Sequence, residues 1–319
     1  MMRAAVVSSF SMPPTCRDWP EPVPATADEI AVDVLAAGLH PRVRSQANGS
    51  HYSSAGALPL VPGVDGVGRD ADGNLRYFIL GDTTTGSLAE RTVVDRRRSV
   101  VLPAATDPVS VAAAMNPAMS SWLALRRRTR IEPGARVAVL GATGNAGRLA
   151  VEIARHLGAR HVVAAGRDAA RLAVLADLGA DETVSLAGPA DDVARRLGAA
   201  AGDADVVLDY LWGPPTAAAM AAVVRERTDR GRPLTWIEIG SVAGPTAEIP
   251  SAALRAARLE IVGSGQGSVP TADITDELPA LAAAISAGTF RVDARGVALA
   301  DVAAAWADRG AAQRVVIVP

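Results

Sequence analysis

The sequence predicts an α/β protein: a doubly wound parallel sheet of about six strands with a second, β-rich domain. Three observations carry that expectation. Between Arg136 and Ser264, near-continuous apolar runs alternate with helical patterns, as a parallel sheet covered on both faces requires. The first run leads into Gly141-Ala-Thr-Gly144-Asn-Ala-Gly147, a glycine pattern that opens a helix. From Met1 to about Val101 the rhythm is different, with short, partly alternating segments broken by Pro and Gly.

Each element can be justified in chain order. "RAAVVSSF", "EIAVDVLAAGL", "LRYFIL" and "LAERTVVD" read as the strands of the β-rich part. Pro108–Arg128 turns helical, with Ala113, Met115 and "SSWLALRRR" ahead of the "IEPGARV" turn. The parallel strands are expected at Val137–Leu140, His161–Ala165, Thr183–Leu186, Asp205–Asp209, Leu234–Ile239 and Leu259–Val262. Helices "AGRLAVEIARHLG", "DAARLAVLADLG" and "PADDVARRLGAAA" lie between them. The tail adds helices at about Glu277–Ala287 and Asp301–Arg309, then the strand "RVVIVP".

Composition narrows the chemistry. With 319 residues, 49% of them hydrophobic, and a net charge of −2, the chain suits a globular protein without the basic face that nucleic acid needs. The runs Arg96–Arg98 and Arg126–Arg128 read as solvated faces or helix ends. No run reaches the roughly 18 apolar residues of a membrane span, and the start lacks the apolar core of a signal peptide. One cysteine, Cys16, permits no internal disulfide and fits a cytoplasmic setting. All 32 basic residues are arginine. No Schiff-base lysine, pyridoxal phosphate anchor, P-loop lysine or Tyr-x-x-x-Lys pair can therefore exist. Four scattered His and one Cys leave no Cys-rich zinc site.

In the glycine pattern each position has a use. Gly141 permits a tight turn, Gly144 lets backbone approach a pyrophosphate, and Gly147 lets the helix pack closely. Ala142, Thr143, Asn145 and Ala146 complete the loop, whose amides point at the phosphates from the helix N-terminus. Leu149, Ile153 and Leu157 form the helix's packing stripe, and Gly158 ends it. The next strand closes on "AAGRD". An NAD site places Asp or Glu about there, roughly 20 residues past the glycines, to hold the ribose 2′-OH. Here Gly166 and Arg167 come first, with Arg171 one turn on, and guanidinium groups suit a 2′-phosphate. NADP(H) is favoured over NAD(H). The alternative leaves Arg167 as a surface arginine and Asp168 as a helix cap.

A mid-chain glycine motif behind a β-rich segment resembles the medium-chain dehydrogenase/reductase superfamily, and within it the zinc-free quinone oxidoreductase branch. The resemblance runs through "AAGLHPRVRSQANGSHY" (Ala36–Tyr52), "LPLVPGVDGVG" (Leu58–Gly68), "NPAMSSWLAL" (Asn116–Leu125), "IGSVAG" (Ile239–Gly244) and "IVGSG" (Ile261–Gly265). It implies a GroES-like substrate domain at 1–118 and 266–319, and a Rossmann dinucleotide-binding domain at 119–265. It also implies loops around the nicotinamide at Gly240–Ser241 and at Gly263, Ser264 and Gly265. Homodimers are common in the family, with "RLEIVGSG" as the edge strand. Where zinc members carry Cys this chain has Leu39-His40, and where they carry the metal-binding His it has Val64, followed by Asp65. The family's asparagine before proline is His40, and its helix threonine is Ser120.

The implied reaction is NADPH-dependent hydride transfer to a quinone or an α,β-unsaturated carbonyl. Tyr52 could donate a proton or sit as a packed loop tyrosine. His40 could protonate an oxyanion or simply precede Pro41 in a turn. Ser120 reads as a hydroxyl near the ligand rather than a nucleophile. Tyr210 and Trp212, after the fourth strand, fall at the carboxyl edge where open α/β sheets bind ligands. A rival function stays open: an NADPH-bound redox sensor or structural protein without turnover.

Overall fold

A hairpin opens the chain: β1 (Met2–Val6) pairs antiparallel with β2 (Thr15–Trp19). In β3 (Glu29–Gly38), Val32 and Val34 turn inward while Ala31 and Asp33 face solvent, the period of two of a strand with one wet face. A short helix, α1 (Pro41–Ala47), follows with Pro41 at its start. Then come β4 (Asp65–Asp70), β5 (Leu75–Ile79), β6 (Arg91–Asp95) and β7 (Ser99–Val101). The long helix α2 (Pro108–Leu123) runs at its end into a π-turn over Ala124–Arg128.

The apolar runs of the middle region fold as the expected alternation: β8 (Arg136–Leu140), α3 (Asn145–His156), β9 (His161–Gly166), α4 (Ala169–Ala173), β10 (Glu182–Ser185), α5 (Ala190–Ala201), β11 (Val206–Asp209), α6 (Gly213–Glu226), β12 (Leu234–Glu238), α7 (Ser251–Ala256) and β13 (Leu259–Gly263). The tail carries α8 (Thr271–Ser286), β14 (Ala294–Ala298), α9 (Val302–Ala307) and β15 (Arg314–Val318). The computed structural model describes every residue except Tyr52, Ser53, Ala55 and residues 309–312.

Two compact units result, Met1–Asn116 with Thr275–Pro319, and Pro117–Ile274. In the second, strands β10-β9-β8-β11-β12-β13 lie in that order and all pair parallel, with β13 at an edge. The chain runs outward from β8 in both directions, which is the doubly wound topology. Trp236, Met220, Leu208 and Ile153 are among its fully buried side chains. In the first unit the order is β14-β15-β3-β4-β5-β7, with β6 also on β3. The tail enters this sheet because β15 pairs with β3, Val316 opposite Gly38.

Two local outcomes differ from the sequence expectation. "DAARLAVLADLG" is not one helix: α4 stops, and a 3-10 turn covers Ala176–Leu178. Leu172, Leu175 and Leu178 are all buried, and a spacing of three matches the 3-10 turn better than the α-helix. The tail helix begins at Thr271, directly after Pro270, and carries Pro279 inside it. Alanine-rich α6 opens on Pro214-Pro215, a pair that resembles a loop in sequence, although the first turn of a helix tolerates it.

Candidate functional site

The glycine turn shows why each glycine is there. Gly141 adopts φ +88°, a left-handed conformation that costs a side chain strain. A Cβ on Gly147 would stand 2.2 Å from the Gly141 carbonyl oxygen and 2.7 Å from Ala142 Cα, so the helix start packs directly on the turn. At Gly144 a Cβ would meet only the Gly141 oxygen at 3.4 Å. The amides of Gly141 and Ala142 both donate to the Ala165 carbonyl, at 2.9 and 2.8 Å, which ties the turn to the end of β9. Among the described residues, no side chain caps the start of α3. Its first amides therefore remain available, with Thr143, Asn145 and Ala146 around them, and the helix dipole favours an anion there.

At the end of β9, Gly166 is buried, and a Cβ there would lie 2.4 Å from the Thr143 side chain. Arg167 is exposed and makes no hydrogen bond or ion pair with the described residues. Asp168 caps α4: its Oδ1 accepts from the Arg171 amide at 3.1 Å, and its Oδ2 lies 3.4 Å from Arg171 Nε. Arg171 Nη1 also reaches the Thr143 carbonyl at 3.5 Å. The acid is thus spent on the helix start; the Arg171 guanidinium reaches the glycine turn, and Arg167 follows Gly166, whose position packs against Thr143 of that turn.

The carboxyl ends of β11 and β12 carry the rest. Tyr210 backs on the glycine turn, its Cβ 3.2 Å from where a Gly141 Cβ would stand. Its phenol and the Ser120 hydroxyl are hydrogen-bonded at 2.9 Å, and Ser120 donates to the Pro117 carbonyl at 2.6 Å. With its own hydrogen committed to Pro117, Ser120 accepts from Tyr210. Burial, against the pull of Ser120 and Ser121, pushes the Tyr210 phenol up to about 12. Among the described residues, the Ser120 hydroxyl is hydrogen-bonded to no His, Asp or Glu side chain. Gly240 and Ser241 follow β12, with the Gly240 amide donating to the Asp209 carbonyl at 3.2 Å. Exposed Gly263 and Gly265 flank buried Ser264, whose amide donates to the Glu238 carbonyl at 2.8 Å.

Two residues here escaped the sequence analysis. Asp209 is fully buried and accepts from the amides of Leu211 (2.8 Å) and Trp212 (3.1 Å), the Thr216 hydroxyl (2.6 Å) and the Trp236 indole (2.9 Å). An acid ending an apolar strand, "VVLDY", was the available signal. Arg128, from the π-turn, donates to the Gly263 carbonyl at 2.8 Å and braces that loop, with no sequence signal for it.

In the other unit, the two departures from the zinc pattern meet. His40 Nε2 donates to Asp65 Oδ1 at 2.9 Å, and the Tyr77 hydroxyl donates to Asp65 Oδ2 at 2.8 Å. His40, Asp65 and Tyr77 are 2%, 1% and 0% exposed, which places the imidazole inside the unit. Burial and the Asp65 charge push the Tyr77 phenol well above its ordinary value. Burial lowers the Arg314 guanidinium to about 10 while Asp65 opposes it, so a cation stands near this carboxylate. Leu39 and Val64 are buried apolar side chains of the same core. Among the described residues, no three His, Cys, Asp or Glu side chains gather as a metal ion would require. Tyr52 lies outside the described residues. No helix among those described is long and apolar enough to cross a membrane.

Comparison with known proteins gives a consistent picture. A zinc-binding dehydrogenase family model matches residues 146–285. A probable NADPH-dependent quinone reductase from Emericella nidulans is 32% identical over an alignment of 359 positions, covering 100% of both chains. A quinone oxidoreductase-like protein from Rattus norvegicus is 26% identical over 82% of this chain and 74% of its own. Among solved structures, the quinone oxidoreductase of Thermus thermophilus, also described in complex with NADPH, superposes with a TM-score of 0.82 at 26% identity over 100% of both chains.

Proposed function

Since the chain belongs to the medium-chain dehydrogenase/reductase superfamily, on its quinone oxidoreductase branch, we propose that it transfers hydride from NADPH to a quinone or an α,β-unsaturated carbonyl without zinc. One observation carries the cofactor assignment: a glycine turn with uncapped helix amides, reached by Arg171, with exposed Arg167 just past the end of the neighbouring strand β9 and without a partner among the described residues. The turn and α3 would hold the pyrophosphate, and Arg167 with Arg171 the 2′-phosphate. Tyr210, Gly240, Ser241 and the Gly263–Gly265 loop would line the nicotinamide half. Bound NADPH supplies the hydride.

The choice of acceptor follows from the groups this chain offers. Leu39 and Val64 carry no metal-ligating atom where zinc members carry ligands, and His40 with Asp65 alone would fall short of a zinc ligand set. Reducing an isolated ketone would leave an alkoxide without a strong electrophile beside it. A quinone or enone spreads the incoming charge, and a modest donor then suffices. Tyr52 is the proposed donor, with Ser120 a pocket hydroxyl and His40 a buried polar group of the substrate unit. A reducing cytoplasm suits the free thiol of Cys16. A homodimer paired along the exposed edge of β13 would cover that strand.

Steady-state oxidation of NADPH and NADH over a panel of quinones, enones and simple alcohols tests this function. Turnover of quinones or enones with NADPH, and little with alcohols, is expected. Tight NADPH binding without hydride transfer to any acceptor would replace the enzyme with a sensor.

A further inference from the structure

Trp212 occupies a backbone conformation that suits glycine. Its φ is +52° and its ψ −165°, a region in which a Cβ is strained by about 1–3 kcal/mol. The neighbouring Gly213, at φ +70°, tolerates such a shape without cost. The strain is imposed from below, because Asp209 Oδ1 accepts the amides of both Leu211 and Trp212, and Thr216 and Trp236 hold its other oxygen. The turn is also fixed from the side. The Ala243 amide donates to the Leu211 carbonyl at 2.8 Å, and a Cβ on Gly213 would stand 2.9 Å from the Ala243 oxygen. Leu211 Cδ2 in turn lies 3.2 Å from the position of a Gly141 Cβ.

The turn is therefore wedged between the glycine turn and the loop after β12, at the carboxyl edge of the sheet. Yet the indole it carries is only half-buried and has no hydrogen-bond or ring partner among the described residues. Backbone strain persists where the surroundings over-determine it, commonly at ligand sites, and here it holds an indole that makes no hydrogen bond or ring contact with the described residues.

We propose that Trp212 is a specificity-determining residue, its indole stacking on a flat aromatic acceptor and so selecting ring quinones over small aliphatic enones. The inference rests on the oxidoreductase function above and adds the shape of the substrate. Offset stacking of one aromatic pair corresponds to about a threefold to tenfold gain in affinity.

The test compares the unmutated protein with Trp212→Phe, Trp212→Ala and Trp212→Gly, all loaded with NADP+. Binding of 9,10-phenanthrenequinone and of the aliphatic enone 3-penten-2-one is measured by calorimetry, and turnover of each with NADPH. Phenanthrenequinone should bind about three to ten times more weakly to the Ala and Gly variants, with Phe restoring most of the loss, and the enone should be unaffected. Trp212→Gly should also melt above Trp212→Ala, since both lack the indole and only Gly relaxes the backbone. Equal losses for both acceptors, or no loss for the quinone, would overturn the proposal. Because binding is read apart from turnover, a protein that binds the quinone through Trp212 but never reduces it would refute the oxidoreductase function and leave the stacking role standing.

Discussion

The two units place their polar groups in opposite ways. In the parallel-sheet unit the candidate site is built largely from backbone: uncapped amides of α3, glycines at 141, 144 and 147, and side chains left half-open at strand ends. In the other unit, whose sheet is antiparallel apart from the β14–β15 pair, the corresponding chemistry is closed. His40 and Tyr77 both donate to Asp65 inside the core, with only the His40 Nδ1 of that trio left without a partner among the described residues, and Asp70 is locked to Arg76 at 2.5 Å. A site made of backbone needs particular glycines and an empty space before a helix. A site made of side chains spends its polarity on neighbours unless something keeps it open. Cofactor binding should therefore be sensitive to Cβ atoms in one unit, and stability to polar atoms in the other.

The largest effect should come from Gly147→Ala. Its methyl would stand 2.2 Å from the Gly141 oxygen, so the turn must move, and NADPH affinity should fall by about a hundredfold or more, close to 3 kcal/mol. Gly144→Ala, with a single contact at 3.4 Å, should lose far less. Fluorescence titration with NADPH ranks the two, and the opposite order would break the account of the turn.

Next is Asp65→Asn. The amide cannot accept both the His40 and the Tyr77 hydrogens through equivalent oxygens, and one buried donor is left facing an NH2 group. Unfolding free energy should drop by about 3 kcal/mol while the NADPH dissociation constant stays within about twofold. Denaturant melts beside binding isotherms check this, and a large change in NADPH affinity would erase the contrast between the units.

A third effect is pH-dependent. Burial works to raise the Asp70 carboxyl, but hydrogen bonds from Arg76 and Asn74 outweigh it and hold it at about 2. The unfolded value is about 3.9. The folded value is the lower one, so its contribution, about 2 kcal/mol, is complete above that unfolded value and is lost as pH falls toward 2. Asp70→Asn should flatten this part of an acid titration of stability. An unchanged acid limb would contradict it.

The smallest effect expected is on cofactor choice. Arg167→Ala should weaken NADPH by about tenfold, and leave NADH nearly untouched, because the lost contact is to a phosphate only one of them carries. Equal losses would assign Arg167 to the shared part of the dinucleotide.

The same contrast explains what was legible in the sequence. Strand order aside, the parallel strands are readable within a residue or two, because nearly continuous apolar runs and glycine spacing are local signals. The glycine turn is readable for the same reason. His40 and Asp65 lie 25 residues apart, and no periodicity announces that they meet. The strain at Trp212 is equally hidden, since it arises from hydrogen bonds to Asp209 rather than from the identity of the residue. Short helices such as α1 and α7 pass for loops in the sequence, because six or seven residues carry too few turns to show a stripe.

Single-turnover hydride transfer tests the central claim most directly. Protein loaded with one equivalent of NADPH, after treatment with a zinc chelator, is mixed with excess 9,10-phenanthrenequinone, and the reduced-nicotinamide absorbance is followed. The account predicts a rapid loss of that absorbance, one equivalent per chain, at the same rate with and without the chelator. Absorbance that persists with NADPH bound, or that decays only when zinc is restored, would contradict it.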